Sequence, residues 1–133
     1  MVDLIPAIAL AAALSFLWGG LWYSHALFGK VWIRESGYDE LQQDHPGKVF
    51  GVAFLFSIIG ACALAYLCID LHGENFSLYQ ALRTALMGSV GFVAVSFGVT
   101  YQFAQNSFKL WLIDAGYHIG SFAVFAVVLG LWS

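Results

Sequence analysis

Asp114 and His118 stand four residues apart in a stretch from Leu110 to Ser133 that carries no other charged residue. On a helix that spacing puts a carboxylate and an imidazole on one face, where the acid can accept a hydrogen bond from the ring and the pair can pass a proton. Ser121 and Phe125 continue the same face. His25 falls at the same end of the molecule as Asp114 and completes a candidate set of His25, Asp114 and His118. Arg83 is the other ionisable group that apolar sequence encloses. It lies too far along the opposite direction to pair with Asp114, and is expected to reach for an interface, for Asp70 or Glu74, or towards His118. The competing reading, given more weight, is structural: a buried acid accepting hydrogen bonds across helices as a packing contact.

Other chemistry finds little support. His25 and His118 differ in depth by on the order of 10 Å, so they do not suit the two axial positions of a haem. Glu35, Asp39, Glu40, Asp44 and His45 share a loop with Arg34 but lack a metal-ligand spacing, and read as a solvated segment. Cys62 and Cys68, six positions apart, point to different sides of a helix and do not bridge. There is no nucleophile elbow, phosphate loop or HExxH pattern, so no enzyme, metal or cofactor is expected. A net charge of −3 with no cluster of Lys and Arg leaves no footprint for nucleic acid.

The elements that must hold these residues follow from composition. Of 133 residues 61% are apolar and 10% charged, against about half and about a quarter in a soluble domain, so the solvent implied is a bilayer. Four runs reach the roughly 20 residues needed to cross hydrocarbon. The expected fold is all-α, an antiparallel bundle of four transmembrane helices over about 4–28, 48–70, 78–101 and 108–132, with an interfacial loop over about 30–47. Asp3 and Pro6 suit the start of a retained first helix rather than a signal peptide, and Ser77 with Gln80 reads as a capping box. Lys30, Arg34, Lys48 and Lys109 collect on one side against Arg83 on the other, which predicts both termini outside the cytoplasm, with the bacterial inner membrane the expected location. Trp22, Tyr23, Lys30, Trp32, Lys109 and Trp111 are the expected interface anchors.

Between helices the expected glue is small residues. Thr84, Gly88, Gly91 and Gly98 form one seam at a 3.5-residue period; Gly116, Gly120, Ala123 and Gly130 form another, and the two are expected to face each other. With sparse polar chemistry and two such seams, the favoured function is a non-enzymatic membrane module, a homo-oligomer or an accessory subunit of a larger complex. The alternatives are a small proton-coupled transporter or ion pathway through Asp114 and His118, and a lipid or quinone pocket lined by Trp18, Trp22 and His25.

Leu21, Trp22, Tyr23 and Ser24, then Leu27, Phe28, Gly29 and Lys30 with Trp32, and later Leu112 to Tyr117 before a last helix ending in Leu131 and Trp132, carry a resemblance. Over nearly its whole length the chain resembles the small membrane proteins grouped as domain of unknown function 1761. The resemblance implies a four-helix integral membrane protein and no activity to transfer. Asp114 stands where that pattern has Asn, and His25 where it has Pro, which argues against a family-wide role for the carboxylate.

Overall fold

The computed structural model describes residues 3–38 and 46–133, and among these residues every regular element is a helix. The loop residues Asp39, Glu40, Asp44 and His45 lie outside the described residues. Helix α1 spans Ile5–Trp22, α2 Gly29–Ser36, α3 Pro46–His72, α4 Leu78–Gly88, α5 Val95–Phe103 and α6 Phe108–Trp132; a π-helical turn, Ser89–Ala94, joins α4 to α5. Four helical stretches are long and apolar enough to cross a membrane: α1, α3, Leu78–Phe103 and α6.

Helix starts follow local chemistry. The Ile5 amide donates to Asp3 Oδ1 at 3.0 Å, with Pro in the first turn where no amide is missed. Ser77 and Gln80 form the capping box reciprocally, at 3.1 and 2.9 Å, and Ser107 Oγ accepts the Leu110 amide at 3.0 Å.

Helix α1 stops at Trp22 instead of running on to residue 28 as expected from its lack of charge. The chain turns because the Leu27 and Gly29 amides both donate to the Ser24 carbonyl, at 3.0 and 2.9 Å, while Ser24 Oγ donates to the Leu21 carbonyl at 2.7 Å. Gly29 returns so close that a Cβ there would lie 2.3 Å from the Tyr23 carbonyl oxygen. Absence of charge marks an apolar medium, and it does not mark where a helix bends.

The packing is small inside and large outside. Ala7, Ala11, Ala61, Ala65, Ala81, Ala85 and Ala126 are buried, with Leu64, Phe76, Phe125 and Leu129 filling between them. Leu17, Phe56, Phe92 and Phe103 face outwards. In water such a surface would aggregate; against hydrocarbon it costs nothing, and the alanines allow backbones to approach. Helix α6 is central, packed against α1 on one side and against α4 and the π turn on another. Trp22 meets Ile113 and Trp18 meets Tyr117, while Gly98 meets Trp111 and Gly130 meets Leu78, so the start of α6 meets the end of α1 and of the Leu78–Phe103 stretch. Tyr23, Lys30 and Lys109 mark the basic end of the molecule, and Asp3, Asp70 and Glu74 mark the acidic end.

Thr84, Gly88 and Gly91 line one groove, and the π turn explains why the expected seam does not continue to Gly98. A 3.5-residue period carried through Gly88, Gly91 and Gly98 assumes α geometry throughout, but closing a turn i to i+5 adds a residue and rotates the rest of the helix by about 100°. Gly98 therefore meets Trp111 on α6, whereas Gly88 and Gly91 have no atom within 4 Å of where a Cβ would stand. The two predicted seams do not face each other.

Candidate functional site

At the basic end α1, α5 and α6 converge on one carboxylate. Asp114 is 8% exposed; its Oδ1 accepts the Tyr23 hydroxyl and its Oδ2 the Tyr101 hydroxyl, each at 2.5 Å. A side chain on a helix leans towards the helix N-terminus, and for Asp114 that is the direction in which both tyrosines stand. Tyr23 follows the last residue of α1 and Tyr101 lies on α5, so one acid ties three helices. The Tyr23 ring also packs edge-on against Trp32 of α2 and beside Tyr117 of α6. Burial first, and then the hydrogen bond to Asp114, hold its phenol well above the ordinary value. It stays a donor.

Directly beneath the acid lies a ladder of indoles. Trp18 Nε1–H donates to the Tyr117 carbonyl at 3.1 Å and Trp22 Nε1–H to the Ile113 carbonyl at 2.9 Å. Both pairs are spaced by four residues, so each rung repeats after one turn. The rings fit because α6 carries glycine there: a Cβ on Gly120 would lie 2.3 Å from Trp18 Cζ2, and one on Gly116 2.8 Å from Trp22 Cζ2. A third indole, that of Trp111, donates to the Ala94 carbonyl at 2.8 Å, at the end of the π turn where the helical ladder is displaced, and Gly98 makes room for it.

Two of the expected partnerships are absent. Asp114 does not pair with His118, whose imidazole stands edge-on to Phe97 and to Tyr117 with both centroids at 4.8 Å. Both carboxylate oxygens are taken by phenols, and His118 instead lines a cavity between α3 and α6. His25 is exposed in the turn after α1; Tyr23, two residues earlier, fills the place expected of it. Arg83 is exposed and makes no ion pair among the described residues; it lines a groove of about 590 Å³ with Leu71, His72, Met87, Gly88, Gly91 and others. Near it His72 Nε2 and Thr84 Oγ1 share a hydrogen bond of 3.0 Å that ties α3 to α4.

The expected anchors divide. Lys30 and Lys109 are exposed, and Trp32 is half-buried against Tyr23 and Tyr38. Trp22 and Trp111 are interhelical donors rather than headgroup anchors, and Tyr23 is the partner of the acid. Ala123 is half-buried, and Gly130 receives Leu78, whose Cα would lie 2.7 Å from an added Cβ. Sequence reasoning missed Tyr101 as a site residue and Trp18 as a packing residue. The signal for Trp18 was present: Trp18 and Trp22 repeat at the same interval as Gly116 and Gly120.

As chemistry, a carboxylate that accepts one phenol on each oxygen is a clamp: it holds α1, α5 and α6 together through two hydrogen bonds. Residues 6–130 match the model of a family described as protein of unknown function (DUF1761). No curated protein and no solved structure matches the chain.

Proposed function

The chain belongs to the DUF1761 family of proteins of unknown function, and from that premise we propose that it is an integral protein of the bacterial inner membrane that works by association. It assembles as a homo-oligomer or as an accessory subunit of a larger membrane complex, with both termini outside the cytoplasm. The observation that carries this reading is the unequal use of glycine. Gly98, Gly116, Gly120 and Gly130 each receive a side chain or backbone of this same chain, whereas Gly20, Gly51, Gly88 and Gly91 receive none, and of these Gly88 and Gly91 together open onto one unfilled groove rimmed by exposed Met87 and Phe92. Membrane helices associate where small residues admit a neighbour, so this face is the contact. The occupied Asp114 supports a structural acid over a proton relay.

Cross-linking and native electrophoresis of the detergent-extracted chain test the reading. The expected result is a species larger than one 14.5 kDa chain, reduced by Gly91→Leu without loss of helical content. A lone monomer for the native sequence overturns it. Proton flux into liposomes that is lost in Asp114→Asn would replace it with the ion-pathway alternative.

A further inference from the structure

The crevice between α3 and α6 holds an imidazole that the clamp leaves unused. His118 lies about 15 Å past the start of α6, close to the midplane of a span. Its ring makes two aromatic contacts and, among the described residues, no hydrogen bond. An imidazole in an apolar medium with neither nitrogen partnered is costly, and the cost is relieved by whatever brings it a polar atom. In front of it is a cavity of about 400 Å³ walled by the rings of Phe56, Tyr117, Phe122 and Phe125, with Ser57 and Ser121 also in its lining. Ser57 Oγ donates to the Ala53 carbonyl at 3.0 Å and so presents only acceptor capacity to the cavity. A second cavity of about 420 Å³ adjoins it at Ala53 and Tyr117, lined further by Phe16, Gly19, Gly20, Phe50 and the ring of Tyr23.

The chemistry of the walls selects a ligand class. Neither cavity is lined by Lys, Arg, Asp or Glu, and Asp114 is turned away to its tyrosines, so the ligand is uncharged. Flat aromatic walls favour a planar head. An imidazole offers one donor and one acceptor, matching a ring oxygen that is a carbonyl in one redox form and a hydroxyl in the other. Phe56 is 67% exposed at the mouth, so entry is sideways from lipid, and the second cavity accepts the start of an apolar tail. We infer that the crevice between α3 and α6 binds a lipid-soluble quinone, with His118 hydrogen-bonded to a ring oxygen. The site is independent of the open groove at Gly88 and Gly91.

The test uses the purified full chain in detergent, titrated with a short-tailed benzoquinone and followed by quenching of tryptophan fluorescence and by the nitrogen resonances of labelled histidine. Saturable quenching is expected, with a shift of the His118 ring nitrogens, assigned by their loss in His118→Leu. That variant should bind about tenfold more weakly, the equivalent of one hydrogen bond. Gly60→Leu, whose side chain grows from a Cβ 3.5 Å from Phe125 into the cavity, should abolish binding. Linear, unsaturable quenching overturns the inference, as does a His118 resonance in the native protein that does not move. Displacement of the quinone by phosphatidylcholine alone overturns it too, by making the crevice a phospholipid site. The native-protein resonance decides even where a variant fails to fold.

Discussion

The contact of α1 with α6 and the first half of the third apolar stretch use the same residue to opposite ends. At Gly116 and Gly120 the missing Cβ is replaced by an indole, and each indole closes a hydrogen bond to the helix that receives it. At Gly88 and Gly91 nothing replaces it. Glycine in a membrane helix is therefore not one signal. It is a slot when a ring or a neighbouring backbone stands opposite, and an open face when neither does.

The largest effect should come from closing a slot. Gly120→Ala must displace Trp18 and break its bond to the Tyr117 carbonyl, a loss of about 3 kcal/mol in detergent unfolding, with Gly116→Ala somewhat milder. Stability unchanged in both would dissolve the distinction between slot and open face. Next is the acid above the ladder. Asp114→Ala strands two phenols and should cost about 2 kcal/mol, and adding Tyr23→Phe and Tyr101→Phe to it should cost little more, since their partner is already gone. Simple additivity across that series would mean the tyrosines act elsewhere.

A smaller effect is pH dependence. Because the folded Tyr23 phenol sits above its unfolded value, the stability it contributes is fully present below that unfolded value, about 10, and drains away as pH rises from there towards the folded one. Thermal unfolding measured between pH 8 and 11 should show this fall, and Tyr23→Phe should flatten it. Smallest of all, Gly88→Ala and Gly91→Ala in the open face should leave monomer unfolding unchanged or raise it by up to about 1 kcal/mol each, through helix propensity alone.

Four apolar helices were legible because hydrocarbon demands length and excludes charge, and few residues interrupt this chain. The capping box at Ser77 was legible because its two bonds are local. The importance of Asp114 could be read from its isolation, but its partners could not. Tyr23 lies 91 residues away and Tyr101 on another helix, and as aromatics near helix ends they resemble ordinary interface residues until the helices are assembled. The glycine seam misled because one turn of the third stretch departs from α geometry, which no period of small residues reveals.

That turn also sets what heredity can do with this helix. Loss of a single codon between residues 89 and 94 would restore an unbroken α-helix and swing the segment bearing Arg83, Gly88 and Gly91 about a quarter of a revolution around its axis, while Tyr101 and Asp114 stayed clasped below. One deletion, rather than a series of substitutions, is enough to present a different face of this protein to its surroundings.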